Sequence, residues 1–173
     1  AVLPVPLKEG DADYAALMMA NYLLGNGGNS RLWLRIREKD GLSYDVRSTI
    51  GWDPYGTNSW WIASAIFAPA NRAKVEVAFK EELERALKDG FTAKELEEGK
   101  QGLLNFRALS RAQDRNVAGA WARNLDLGRT FAFSATGAAR LHALTLAQVN
   151  AALRKYIEPA KFVVGFAGDF KEP

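Results

Sequence analysis

Two side chains seven positions apart, Arg37 and Tyr44, offer the most usable polar chemistry in this sequence. A guanidinium presents five donors in a fixed fork, and a phenol adds one donor-acceptor. Brought to one place they suit a peptide carbonyl, a carboxylate or an oxyanion. Arg37 falls in the last turn of a helix, Tyr44 at the start of the following strand, and Gly41 lets the chain reverse between them. The plainer reading has Arg37 complementing the helix dipole and Tyr44 packing with Leu42 and Val46. On pattern alone that plainer reading is the stronger. A second candidate is the segment Gly25-Asn26-Gly27-Gly28-Asn29-Ser30. A phosphate loop would need a strand before it and a Gly-Lys-Ser/Thr at its end. Here a helix precedes and no Lys follows, so a flexible connection using Gly and Asn for positive φ fits better.

The residue inventory excludes much other chemistry. The chain has one His, His142, and no Cys. A protein-built zinc site takes four N, S or O ligands, usually His or Cys. A multi-His metal centre, a Cys nucleophile and a disulfide framework are therefore excluded. His142, near a helix end, reads as a dipole complement or a packing residue. No Ser-His-Asp set can be defended from sequence order. Trp60 and Trp61 are adjacent in a strand and face opposite sides, so they make no stacking platform for bases.

Composition places the chain among ordinary globular proteins: 173 residues, 48% hydrophobic and 25% charged. That length is a prior of about one domain. No apolar run reaches the ~18 residues a membrane helix needs. The net charge of +3 is small, and the basic residues interleave with acidic ones on helical stretches such as Lys80-Glu81-Glu82-Leu83-Glu84-Arg85. That is a solvated face, and no nucleic-acid partner is expected. The lack of Cys fits an export compartment or chance.

Several elements must position these candidates. Residues 1–9, with Pro4 and Pro6, read as an edge strand or extended linker. Asp11 and Asp13 are candidate caps for a helix carrying Tyr14, Leu17, Met18, Asn21 and Tyr22, with Gly25 as its stop. Ser30 is a candidate cap for a second short helix that Gly41 ends. From Leu42 the period becomes two, with Leu42, Tyr44, Val46, Ser48 and Ile50 on one face. Residues 57–68 form the other arm of an antiparallel hairpin, and their continuous apolar character predicts a buried central strand. Ala70 to about Glu158 is helical, interrupted at Gly90, near Ser110 and at Gly128. Capping boxes open at Thr92-Ala93-Lys94-Glu95 and Thr145-Leu146-Ala147-Gln148. Phe162-Val163-Val164-Gly165-Phe166 is expected to close the chain as a strand. Strands and helices are segregated, so the fold class is α+β: a mainly antiparallel sheet with helices on one face. Four strands at most are few for so many helices; a second half, or missing N-terminal strands, would complete the sheet.

The run Leu23-Leu24-Gly25-x-Gly27-Gly28-x-Ser30-Arg31-Leu32, followed by Ile36-Arg37-Glu38-Lys39-x-Gly41-Leu42-Ser43-Tyr44, resembles the non-catalytic C-terminal-type domain of the insulinase-like (pitrilysin, M16) zinc peptidases. Pro69-Ala70-Asn71, the junction Asp89-Gly90-Phe91-Thr92 with Glu95-Leu96 and Lys100, and the ending Phe162-Val163-Val164-Gly165-Phe166-Ala167-Gly168-Asp169 extend the resemblance over nearly the whole chain.

The resemblance implies the half-molecule fold shared by M16 peptidases and LuxS-like metallohydrolases, with residues 1–173 as one such domain of a larger protein. In that family two homologous halves enclose a chamber. One half carries the inverted zinc motif His-x-x-Glu-His, whose metal activates water with the Glu as general base. The other lends an Arg and a Tyr that bind substrate and steady the tetrahedral intermediate. By motif position these are Arg37 and Tyr44. Gly25, Gly27, Gly28 and Asn29 match a loop that touches substrate in relatives. The chain itself has no His-x-x-Glu-His, so zinc is expected in the partner half and no metal or cofactor here. The expected function is the substrate-binding half of a zinc metalloendopeptidase acting on peptides or small proteins, inactive alone. The bacterial periplasm is favoured over the cytoplasm. The rival is a non-enzymatic structural or interaction subunit, related to respiratory-complex core proteins or processing-peptidase partners.

Overall fold

A computed structural model describes residues 1–170. Three strands, β1 (Val2–Val5), β2 (Asp45–Gly51) and β3 (Ser59–Ile66), form an antiparallel sheet in the order β1-β3-β2. Val2 lies opposite Ile62 and Val5 opposite Ser59, while Asp45 faces Ile66 and Gly51 faces Trp60. The expected hairpin and its central second strand are both present. That strand is buried on one face only, however. Trp61 and Ala63 point into the core, whereas Trp60 is 45% exposed. Its run of apolar residues reflects a half-open face, not two covered ones.

Six helices follow the sheet's inner face and extend beyond it: α1 (Tyr14–Asn21), α2 (Arg72–Asp89), α3 (Ala93–Ser110), α4 (Asp114–Asp126), α5 (Phe131–Ala143) and α6 (Leu146–Tyr156). The breaks fall where the sequence predicts them. Gly90 and Gly128 hold positive φ, and α3 gives way to α4 just past Ser110. Both predicted capping boxes form, with Thr92 accepting from the Glu95 amide and Thr145 from the Gln148 amide. The sequence of segregated strands and helices thus gives the α+β class.

The core lies between the sheet and α1, which is apolar almost all round because α6 and the sheet cover opposite sides of it. Leu3, Val5, Leu17, Met19, Leu24, Trp61, Leu83 and Leu153 are fully buried there. One polar network crosses this core. Ser48 Oγ donates to Asn21 Oδ1 (2.7 Å) and Trp61 Nε1 donates to the same oxygen (2.8 Å). Burying a tryptophan N–H is inexpensive only with such an acceptor.

Four local expectations are corrected. Asp13 occupies the position before α1 without capping it. Its carboxylate instead accepts from Lys155 Nζ (2.7 Å) and Tyr156 Oη (2.9 Å), tying α1 to α6. Asp11 accepts from the Lys8 amide (3.1 Å), also outside the helix. Ser30 Oγ is buried with no partner among the described residues, so it does not cap the second helix. Gly25 does not stop the first. The helix widens there into a π-helical turn, Tyr22–Asn26, and a Cβ on Gly25 would collide with Ser48 of β2. Glycine at 25 therefore permits close helix–strand approach rather than a reversal.

The fourth correction is the closing strand. Of residues 162–166, Val163 alone pairs, bridging Val2 with N–H···O distances of 2.8 and 2.9 Å. Val164 and Phe166 are exposed. Beyond Val163 the segment makes no further backbone pairing among the described residues.

Candidate functional site

Arg37 sits on a second π-helical segment, Trp33–Lys39, which Gly41 ends at φ +62°. Three contacts set the guanidinium. Its Nε donates to the Tyr44 carbonyl (3.0 Å), its Nη1 donates to Glu38 Oε1 (2.8 Å), and its plane lies over the Trp33 ring at 4.6 Å. Arg47 of β2 approaches the same ring at 5.8 Å and is held by Asp45 (2.7 Å). Cation–π contacts of this kind contribute roughly 0.5–1 kcal/mol at exposed sites. A guanidinium has five N–H donors, and two are used, so the others remain available on the exposed side.

Tyr44 is brought to Arg37 through its backbone, not its ring. The side chain is 80% exposed, which overturns the packing with Leu42 and Val46 that the two-residue period suggests. The period begins only at Asp45, where β2 starts. Ahead of it Ser43 turns inward, donating to the Ile66 and Asp45 carbonyls (2.8 and 2.7 Å). Tyr44 consequently projects to solvent. An anchored guanidinium with free donors is able to grip a carbonyl or carboxylate oxygen, and an exposed phenol can add one more donor.

The opposite side of the same segment is fastened to the helical layer. Arg31 forms a bidentate pair with Glu95 (2.7 and 2.9 Å), donates to the Gly90 carbonyl (2.8 Å) and lies over Phe91 at 4.8 Å. Burial works against ionising Glu95. The Arg31 fork, with the Thr92 amide and hydroxyl, outweighs it and holds the carboxyl at about 2. Arg35 reaches Asp40 (3.2 Å) and Glu81 (2.8 Å). Sequence reasoning missed Trp33 and Arg47 as parts of the Arg37 site. The i,i+4 spacing of Trp33 and Arg37 was the available signal.

The glycine-rich segment joins the two π-helical turns. Gly25 and Gly27 are buried, and a Cβ on Gly27 would press on Tyr22, so both serve packing. Gly28 and Asn29 are exposed, and a Cβ on Gly28 would meet nothing within 4 Å. Only those two of the four can face a ligand. A groove of about 740 Å³ lies elsewhere, between this segment and α2. Its lining mixes Arg31, Arg35, Lys39 and Arg85 with Glu81, Glu82, Asp89 and Glu95, so it favours neither anions nor cations.

His142 is exposed in the last turn of α5, where an imidazole complements the dipole. Among the described residues no three His, Cys, Asp or Glu side chains converge as metal ligands. The donor set does not fit a zinc ion. Trp61 is fully buried and Trp60 half-exposed on the other side of the strand, so they share no surface.

Comparison with solved structures shows where this fold recurs. A peptidase M16 inactive domain from Pseudomonas fluorescens superposes with a TM-score of 0.76 at 26% identity. The match covers 92% of this chain and 38% of that one, so the chain spans about two fifths of that relative's length. A protease from Helicobacter pylori gives 0.72 at 20% identity, covering 92% and 38% of the two chains. The periplasmic protease PqqL from Escherichia coli gives 0.68 at 19%, covering 90% and 17%. These last two likenesses are of fold. No curated protein sequence matches. The family model described as "Peptidase M16 inactive domain" matches residues 2–103, more than half of the chain and all of the Arg37 region. The chain belongs to the M16 peptidase inactive-domain family.

Proposed function

We propose that residues 1–173 form one non-catalytic half of a zinc metalloendopeptidase, binding the peptide substrate for a homologous half that carries the zinc. Among the described residues no ligand set for that metal is present, and the chemistry this half supplies is binding and orientation. The observation that carries the reading is the Arg37 site. Trp33, Glu38 and the Tyr44 carbonyl fix the guanidinium while leaving outward donors, and the Tyr44 side chain is exposed. Arg37 and Tyr44 together hold a substrate carbonyl oxygen as negative charge grows on it, which is worth most in a site from which water is excluded. Gly28 and Asn29 are the exposed tip from which the loop reaches substrate. The halves enclose a chamber, the chain alone is inactive, and a bacterial periplasm is its setting, as it is for PqqL.

The test uses the complete enzyme, with both halves present. Arg37→Ala lowers kcat/KM on the order of 100-fold while zinc content and pairing of the halves stay unchanged. Tyr44→Phe lowers it less. A wild-type rate in Arg37→Ala overturns the assignment and favours the rival role, a subunit that binds without assisting cleavage.

A further inference from the structure

A second polar site lies where α1, its π-helical extension, the end of β2 and α3 meet around a cleft of about 100 Å³. Met18, Tyr22, Trp52 and Leu103 give it apolar walls, and the exposed Asn26 and Thr49 give it a polar mouth. Asn26 donates its side-chain N–H to the Ser48 carbonyl (3.2 Å), which leaves Oδ1 as an acceptor. Pockets for whole small-molecule ligands run to about 300–1,000 Å³. This one has room for a single side chain.

Arg107 stands at the Met18 edge of the cleft. It follows Leu103 by one turn of α3, and its Nη2 donates to Met18 Sδ (2.9 Å). A thioether sulfur is a weak acceptor. The guanidinium is half-buried and forms no ion pair among the described residues. Its neighbours supply no negative charge. Tyr14 keeps its proton, because burial pushes its pKa up to about 12. Arg111, one turn on, is a second cation; burial and that repulsion lower the pKa of Arg107. Glu9, the acid that reaches Tyr14 (3.4 Å), is shared by Arg123 and Arg129 (3.0 and 2.9 Å). Tyr14 in turn packs edge-on against Trp52, with ring centroids 4.5 Å apart. Phenol, guanidinium and cleft are therefore contiguous.

A half-buried cation bonded to sulfur alone is poorly compensated for the water it has lost. An anion arriving from solvent offsets that, since the remaining donors of the fork match a carboxylate bidentately. The sequence adds a local field. Asp114 is the one acid between Leu104 and Arg123, against Arg107, Arg111, Arg115 and Arg123. Such a field draws anions. The apolar walls then select among them, because a carboxylate on a methylene stem buries that stem and inorganic phosphate has none.

We infer that this cleft is a carboxylate subsite: an acidic group of a bound polypeptide lays its stem among Met18, Trp52 and Leu103 and sets its carboxylate on Arg107. Asn26 Oδ1 accepts a peptide N–H at the mouth. The inference rests on the reading of this chain as a peptide-binding half, but it uses none of the Arg37 contacts.

The experiment uses the full-length protein, both halves present, stripped of zinc by chelation so that no peptide is cut. Fluorescent peptides with capped ends, identical except for a central Glu or Gln, are titrated by anisotropy. The Glu peptide is expected to bind about tenfold tighter or more. Arg107→Gln removes the difference, Arg107→Lys keeps part of it, and Arg37→Ala leaves it intact. A Gln peptide with a free C-terminal carboxylate that matches the Glu peptide, and loses this in Arg107→Gln, supports the subsite with a chain end as its source. A difference that survives Arg107→Gln overturns the inference, as does equal binding of all three peptides. Inorganic phosphate that displaces the Glu peptide at equal concentration also overturns it. So does binding of no peptide, or separation of the halves in Arg107→Gln, which would assign the guanidinium to a carboxylate of the other half. Failure of the Arg37 reading is distinguishable: it shows in kcat/KM of the zinc-loaded Arg37→Ala enzyme and leaves the difference between Glu and Gln peptides standing.

Discussion

The first hundred residues and the stretch from Leu104 to Arg140 are built by different means. In the first, sheet, α1, α2 and the start of α3 share a core in which Leu17, Leu24, Ile36 and Trp61 are wholly buried. In the second, α4 and α5 are regular helices, yet Asn124 is the one buried residue among them before Leu141. Val117, Trp121 and Leu125 recur at i, i+4 and i+8 and form an apolar stripe on α4, and all three are exposed. The family model ends at residue 103, where burial gives out. Polar ties anchor α4 and α5 instead. Glu9 accepts from Arg123 (3.0 Å) and Arg129 (2.9 Å), and Arg140 donates to the Gly10 carbonyl (3.1 Å). A helix can therefore be amphipathic in sequence and well formed without contributing to the core of its own chain.

The contrast can be broken by paired substitutions. Trp61→Ala removes a fully buried indole and leaves Asn21 Oδ1 with Ser48 as its one donor, and should cost about 3–5 kcal/mol in denaturant unfolding. Trp121→Ala, at 52% exposure, should cost under about 1 kcal/mol. Comparable losses would show that α4 belongs to the core after all. Glu9→Gln weakens the shared acceptor of Arg123 and Arg129 and should cost about 1–2 kcal/mol. Its signature is local: amides of α4 and α5 exchange faster while those of β3 do not.

Acid unfolding sharpens the comparison from the core side. Glu95 has its folded pKa held at about 2, below the ordinary value of 4.5. Its pair with Arg31 thus contributes stability fully above pH 4.5, lost as pH falls from there through 2. The group is partly exposed, so the contribution is screened to about 1 kcal/mol. Glu95→Gln should lower stability near neutrality and flatten the acid limb over that window. An unchanged limb would assign it to other carboxylates. The smallest effect is expected at Thr130, whose hydroxyl caps α5 by accepting from the Ala132 amide (3.2 Å). Thr130→Ala should cost about 0.5 kcal/mol and fray α5 alone, leaving global Tm within a degree or so.

Much of this was legible in residue order. Hairpin, helix breaks and both capping boxes follow from short-range chemistry, since period, glycine and cap residues act within a few positions. Asp13 and Gly25 depart from the local reading because each is decided at long range. Asp13 is claimed by Lys155 and Tyr156, and Gly25 by Ser48 across the core. The closing strand was misread for a related reason. Its apolar run is real, but a strand needs a partner of matching register. At the candidate site the spacing of Arg37 and Tyr44 carried the proximity. The outward turn of Tyr44 was hidden because alternation starts one residue later.

The wide turn at Trp33–Lys39 has a consequence for inheritance. Its i→i+5 bonds, such as Asp40 N–H to the Arg35 carbonyl, are what one surplus residue in a helix produces. Each residue turns an α-helix by about 100°. Loss of a single codon here would tighten the turn and swing Arg37 through roughly that angle, away from the Tyr44 carbonyl. The bearing of this arginine is therefore exposed to in-frame deletion as well as to substitution, and a gene could lose the site while every residue type in it survived.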